Sequence, residues 1–176
     1  MVCIAWRPFY LTIVVSLAIF SLSSCSTSTI YIVRHAEKVS EADTTSLSPV
    51  GFQRAEDLAG ALINAQIDSI LTTPYRRTRQ TAEPLARQLN LPIVSYSARS
   101  TEEIVQRLER MKGKNVLVVG HSNTILEIAR GLGVKPRMTK IESDDFDNLL
   151  RITLERGLFG KSVRLRESTY GEPTPP

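Results

Sequence analysis

The run Val116–Val119, "VLVV", constrains the fold of this chain more than any other stretch. It places four apolar residues together with no alternation. A strand with one wet face alternates apolar and polar residues, whereas a strand covered on both faces does not. Strands of the second kind sit in parallel sheets between layers of helices. Three more runs have strand length and apolar character: Thr29–Val33, Asp68–Thr72 and Pro92–Tyr96. Helical patterns separate them. Ser48 then Pro49 is an N-cap followed by a proline at the first helical position, and Ala55, Leu58, Ala59 and Leu62 share one face. Thr73–Pro74 gives the same start signal ahead of Thr78, Ala82, Leu85, Ala86 and Leu89. Ile104, Leu108 and Met111 mark a third helix, and Ser122 is placed to cap a fourth carrying Ile125, Ile128, Ala129 and Leu132. Strand then helix, repeated, predicts an α/β fold: a three-layer α/β/α sandwich with a mainly parallel sheet. "NLLRITLE" and "KSVRLRE", on either side of Gly157–Gly160, read as an antiparallel edge hairpin.

The chain has 176 residues, enough for one such domain and too few for two. Its formal charge of +4 is spread among acids, with one basic cluster at Arg76, Arg77 and Arg79. That distribution gives nucleic-acid binding little support, and no nucleic-acid partner is expected.

The first residues are of another kind. Phe9 to Leu22 is apolar apart from Thr12, Ser16 and Ser21. A spanning helix wants about 20 apolar residues, so this stretch suits the core of a signal peptide better. Leu22–Ser23–Ser24–Cys25 resembles the bacterial lipoprotein box, in which the cysteine is lipidated and becomes the first mature residue. The expected organisation is a signal peptide over residues 1–24, lipidated Cys25 with a short tether over 25–28, the folded domain over 29–168 and a flexible tail over 169–176. The bilayer is then a partner, through acylation of Cys25, and the protein belongs at the cell envelope, on the extracytoplasmic or periplasmic face. An uncleaved anchor helix is the alternative. Cys3 would be lost with the leader, leaving no cysteine pair for a disulfide.

Only two histidines occur, His35 and His121, and each stands directly after an apolar strand run. Ligands of open α/β sheets bind at the carboxyl ends of the strands. Arg34–His35 and Gly120–His121 both lie there, and so does "TTPYRRTRQTAE" after the second run. Arg77 falls near the start of its helix, where a cation opposes the helix dipole unless an anion occupies the site. Arg76 and Arg79 read as solvated or paired with acids. A lone histidine after a strand is ordinarily a satisfied core residue; both histidines of a chain in the same topological position are harder to read that way.

"VRHAEK", "RRTRQTAE" and "VVGHSNT" resemble, in this order, the motifs of the histidine phosphatase superfamily, also called phosphoglycerate-mutase-like. "LSPVGFQRAEDLA" is similar to a further segment of that family. The resemblance spans roughly residues 29–167. Two positions depart from the pattern: Ala36 stands where glycine is usual and Thr78 where alanine is. The resemblance implies that His35 is the nucleophile and takes the phosphoryl group as phosphohistidine. Arg34, Arg77 and His121 then bind the substrate phosphate and stabilise its charge, and water releases it. Neutral imidazole is nucleophilic near pH 7 without a base to activate it. Neither metal nor cofactor is required, and the sequence holds no cluster of histidines and carboxylates at ligand spacing.

Relatives acting on phosphate esters usually carry a carboxylic acid that protonates the leaving oxygen. One branch has Asp directly after the second histidine, where this chain has Ser122. Another has Glu after the third strand. Glu102 and Glu103 stand near there, in a first helical turn that favours acids through the dipole alone. Glu37 is a third candidate, whose ordinary role would be pairing with Lys38 or an arginine. The loop Val39–Leu47 could also carry Glu41 or Asp43 over the site. Family members that cleave phosphohistidine proteins are similarly small and lack the acid. The expected activity is a metal-independent phosphatase acting on a small phosphorylated substrate or a phosphoprotein. A non-catalytic phosphate-ligand-binding lipoprotein is the alternative. A phosphoglycerate-type mutase fits less well, because such mutases resemble longer chains with insertions.

Overall fold

The computed structural model describes residues 25–158 and 160–175. In chain order the elements are β1 (Ser26–Arg34), α1 (Pro49–Leu62), β2 (Ser69–Thr72), α2 (Arg76–Leu89), β3 (Ile93–Ser95), α3 (Thr101–Arg110), β4 (Asn115–Gly120), α4 (Ile125–Gly131), β5 (Asn148–Gly157) and β6 (Gly160–Thr169). One six-stranded sheet has the order β3-β2-β4-β1-β5-β6. β1, β2, β3 and β4 are mutually parallel, while β5 is antiparallel to β1 and β6 to β5. The expected α/β sandwich with an antiparallel edge hairpin is the fold observed.

The unalternating run occupies the centre. β4 lies between β1 and β2, and Val116–Val119 are all buried. Successive side chains take opposite faces. Ile30, Ile32, Val116 and Val118 pack with Ile104 and Leu108 of α3 and with Ile125, Ile128 and Ala129 of α4. Tyr31, Val33, Leu117 and Val119 pack with Leu58 and Leu62 of α1 and with Ala82 and Leu85 of α2. Two helices on each face leave the carboxyl ends of β1, β2 and β4 open at one edge of the sandwich.

Ser48 caps α1 as expected, its hydroxyl accepting from Gly51 N at 3.1 Å. Four expectations are corrected. The tether expected over 25–28 is strand from Ser26 onward, paired with β5, with Ser28 buried. α2 starts at Arg76 behind Tyr75, which makes no side-chain cap bond, because Thr73 directs its hydroxyl to Thr78 and His121 instead. α4 is preceded by Thr124, not Ser122; the Thr124 hydroxyl accepts from His121 N at 3.0 Å. The segment after residue 168 is not a loose tail. Strand β6 runs to Thr169, Tyr170 is buried, and Thr174 bonds back to the turn before β5.

Candidate active site

The parallel register sets Arg34 beside Gly120 at the ends of β1 and β4. His35 and His121 therefore leave neighbouring strands at the same level, with ring centroids 5.4 Å apart. His35 N donates to Gly120 O at 3.0 Å. A Cβ on Gly120 would meet the side chains of Ile125, Thr124 and Tyr96 at 3.0–3.1 Å, so a larger residue fits this crossing only if those side chains give way.

His35 is 4% exposed. Its Nδ1 lies 2.8 Å from Ala36 O. A carbonyl only accepts, so Nδ1 carries the proton and Nε2 keeps the lone pair. Burial pushes the His35 pKa down to about 3; the Ala36 bond opposes this, while His121, Arg34 and Arg77 add to it. Burial, then Arg77 and Arg34, push His121 down to about 4. His121 Nε2 lies 2.9 Å from the Thr73 hydroxyl, and the Tyr75 ring meets the imidazole edge-on at 5.2 Å. Both rings are neutral at pH 7.

The Gln-Thr pair of α2 fixes the loops around His35. Thr81 Oγ1 accepts from Ala36 N at 3.0 Å and donates to Arg77 O at 2.8 Å. Gln80 Oε1 accepts from Ser46 Oγ and Leu47 N, each at 3.0 Å, which pins the end of the Val39–Leu47 loop. Ala36 is fully buried with Leu47 and Ala55, a space that accepts its one methyl.

The guanidinium of Arg34 is held by neutral groups. Nη1 donates to Glu142 O at 2.7 Å and Asp145 O at 2.8 Å, and Nη2 to Ser143 O at 3.0 Å. Its centre lies 4.0 Å from the Phe146 ring. Arg77 Nη1 donates to Asp43 O at 3.1 Å, and its guanidinium sits 4.4 Å from the Tyr75 ring. In both residues Nε is buried without a partner. A buried unpaired donor costs about 1–3 kcal/mol, so both arginines leave part of their positive charge uncompensated at this site. Both residues line a cavity of about 590 Å³ that also exposes His35, His121, Ser122 and Lys140.

Residues 30–98 match the family model of the histidine phosphatase superfamily, branch 1. Over that stretch, which is less than half of its length, the chain is similar to this family. Its fold is similar to that of the protein histidine phosphatase SixA complexed with tungstate (TM-score 0.65, 19% identity, 80% of this chain and 96% of that one). It is also similar to the alpha-ribazole phosphatase from Shigella flexneri (0.59, 16%, 82% and 98%). A mycobacterial glucosyl-3-phosphoglycerate phosphatase shares it too (0.60, 13%, 82% and 98%). No curated protein matches the chain by sequence.

The candidate acids are scattered. Glu37 turns away from the cavity and grips Arg54, which donates from Nε to Oε1 and Oε2 at 2.8 and 2.9 Å and from Nη2 to Oε1 at 2.7 Å. Arg54 is 2% exposed, which corrects the reading of Glu37 as a proton donor: its carboxylate is committed to a buried cation. Glu102 and Glu103 are exposed on α3 and do not line the cavity, so the structure does not bring them to the histidines. Asp43 reaches the site through its backbone carbonyl. The carboxylates that do line the cavity among the described residues are Glu41 and Glu142, at its rim. Glu41 pairs with Lys38, which holds its carboxyl below the usual range, and Glu142 with Lys140 at 2.7 Å. Among the described residues no group of three or more His, Cys, Asp or Glu is placed to hold a metal.

Arg76 and Arg79 are exposed, whereas Arg77 is half-buried at the cavity, the register expected from Gln80–Thr81. Sequence reasoning missed Thr73, Tyr75, Phe146 and Arg54. Tyr75 and Thr73 lie inside the quoted motif and could have been weighed. Phe146 and Arg54 carry no local signal, because their partners are distant in the chain.

Proposed function

We propose that this protein is a metal-independent phosphatase with His35 as its nucleophile. The observation that carries the reading is the fixed tautomer: the Ala36 carbonyl holds the Nδ1 proton, leaving the Nε2 lone pair unprotonated on a histidine that lines one cavity with Arg34 and Arg77. Nε2 forms a bond to phosphorus as the bond to the leaving group breaks. Water then attacks phosphorus, the P–Nε2 bond breaks, and inorganic phosphate leaves with His35 neutral again. The transferring group spreads negative charge over three oxygens, so positioning and charge stabilisation dominate. Arg34, Arg77 and His121 supply them. With no carboxylic acid poised between the histidines, the leaving group departs unaided. That favours phosphohistidine and phosphate monoesters of acidic alcohols as substrates, on a small molecule or a phosphoprotein.

The decisive experiment is turnover of p-nitrophenyl phosphate by the purified domain, with rapid quenching to trap an acid-labile phosphoenzyme. Turnover and label on wild type, and neither on His35→Ala, support the reading. Tight phosphate binding without turnover would instead identify a phosphate-ligand-binding protein. Transfer of the label to an acceptor hydroxyl in place of water would identify a mutase.

We further propose lipid anchoring at Cys25. The signal-peptide stretch lies outside the described residues, and no described helix is long and apolar enough to cross a membrane. Cys25 is exposed at the start of β1, and His35 follows its end. At ~3.3 Å per residue those ends are about 30 Å apart, so a cavity at His35 would open away from an anchoring bilayer. Intact-mass analysis of membrane-extracted protein tests this. A mature chain beginning at a lipid-modified Cys25 is expected; an unmodified Met1, or a soluble mature chain, would overturn it.

A further inference from the structure

The end of the chain reaches back to the segments on both sides of the nucleophile. Tyr170 N donates to Asp147 O at 3.0 Å, and Arg54 Nη1 donates to the carbonyls of Tyr170 and Glu172 at 3.2 and 2.9 Å. Arg54 in turn grips Glu37, two residues past His35. Thr174 closes the other side. Its hydroxyl accepts from Phe146 N at 3.0 Å and Asp147 N at 3.2 Å, and lies 3.5 Å from Asp145 Oδ1. Its own N–H donates to Asp147 Oδ2 at 3.2 Å.

The turn so capped is the one that holds Arg34. Asp145 supplies one of the three carbonyls on its guanidinium, and Phe146 supplies the ring stacked against it. Residues 134–147 contain no helix or strand. Carbonyls in such a segment keep their direction only where something outside the segment fixes them. Asn148 does so from β5, through Asp145. Thr174 is the fastening that reaches Asp145, Phe146 and Asp147 together. Pro173 and Pro175 flank it, and proline lowers the conformational entropy lost when a segment is ordered.

We propose that the C-terminal segment from Tyr170 to Pro175 is a strap that aims Arg34, with Thr174 as the positioning residue. This rests on the reading of Arg34 as part of the phosphate clamp. It predicts that the Thr174 hydroxyl acts on phosphate affinity through Arg34 and through nothing else at the site.

The experiment is a double-mutant cycle on the full mature chain, read as affinity for inorganic phosphate and, separately, as kcat/KM on p-nitrophenyl phosphate. Thr174→Val is expected to weaken both by about tenfold or more, the scale of a small misplacement at a preorganised site. Thr174→Ser, which keeps the hydroxyl, restores both. In an Arg34→Ala background Thr174→Val has no further effect. Should Thr174→Val fail to fold, Thr174→Ala repeats the cycle without placing a methyl against the two N–H groups. An equal loss in both backgrounds, or no loss in folded protein, overturns the strap. Because phosphate affinity needs no turnover, an inactive wild type would refute the phosphatase reading and still leave the cycle able to decide the strap.

Discussion

Arg34 and Arg54 are the two buried arginines among the described residues, 5% and 2% exposed, and their surroundings treat the charge in opposite ways. Arg54 meets a carboxylate, with three charge-assisted hydrogen bonds of 2.7–2.9 Å to Glu37. Arg34 meets carbonyls and a phenyl ring. Burial pulls the pKa of both down. For Arg54 the hydrogen bond and charge of Glu37 outweigh burial and the net shift is upward; for Arg34, Asp145 and Glu37 offset only part and the net shift is downward. Arginine stays protonated either way. A buried cation without a direct ion pair is a standing cost. Under the proposed function, a phosphate dianion in the cavity would be its partner. Arg54 fastens the loop after His35, and Arg34 keeps a charge that no carboxylate neutralises directly, as the proposed phosphate clamp requires.

The sharpest way to break that contrast is to remove each side chain. Arg34→Ala should lower kcat/KM by ~10²-fold or more, the scale for a preorganised charge stabiliser, with little change in unfolding temperature. Arg54→Ala strands Glu37 and should cost about 3–5 kcal/mol of stability, read by urea unfolding. The contrast collapses if Arg34→Ala unfolds the protein, or if Arg54→Ala stays stable and loses turnover. Arg77→Ala should match Arg34→Ala in kcat/KM, while Arg76→Ala and Arg79→Ala change little. A large loss at Arg79 with none at Arg77 would show that the register on Gln80–Thr81 is wrong.

That register was legible because it is local. So were the strands, whose apolar runs announce themselves, and the convergence of His35 and His121, which follows from strand ends in a parallel sheet. Gly51 was not legible in that way: a Cβ there would stand 2.1 Å from Glu37 O, a close approach of the helix start to the loop after His35 that only the structure reveals. Arg54 was not legible. Its partners, Glu37 on one side and Tyr170 and Glu172 on the other, lie 17, 116 and 118 residues away. "YGEPTPP" reads as a frayed end because prolines and glycine form no helix or strand, yet its hydrogen bonds are made with other segments. The Glu37 reading failed for the same reason: proximity to His35 in sequence does not say which way the side chain turns.

The contrast between a committed and a reserved charge also bears on the leaving group. With Glu37 held by Arg54, and Glu41 and Glu142 paired with lysines at the rim, proton donation is left without a poised carboxylic acid among the described residues. General acid catalysis typically contributes 10²–10⁴-fold. kcat/KM across aryl phosphates should therefore fall steeply as leaving-group pKa rises, and Glu102→Gln and Glu103→Gln should leave that slope unchanged. Glu37→Gln should lower stability and keep the slope. A shallow wild-type slope that Glu41→Gln or Glu142→Gln makes steep would identify the donor and shift the substrate toward ordinary alkyl phosphates.

The smallest effect concerns the two histidines, whose charge the site suppresses where it maintains that of Arg34. Their folded pKa values, about 3 for His35 and about 4 for His121, lie below the 6.5 expected of an exposed histidine. Below pH 6.5 the unfolded chain therefore binds protons that the folded chain refuses. Stability from this source is complete above about pH 6.5 and is lost as pH falls toward about 4 for His121 and about 3 for His35. Each histidine contributes a slope of at most ~1.4 kcal/mol per pH unit. Other groups titrate in the same window, so the measurement is the difference between wild type and His35→Asn in urea unfolding at pH 7, 6 and 5. The stability gap should close as pH falls, because the variant lacks one of the refused protons. Saturating inorganic phosphate should flatten the wild-type slope, since an anion held by Arg34 and Arg77 favours the charged imidazoles. A gap that stays constant from pH 7 to 5 would mean that His35 protonates as easily folded as unfolded, and would remove the basis for a neutral nucleophile fixed by burial.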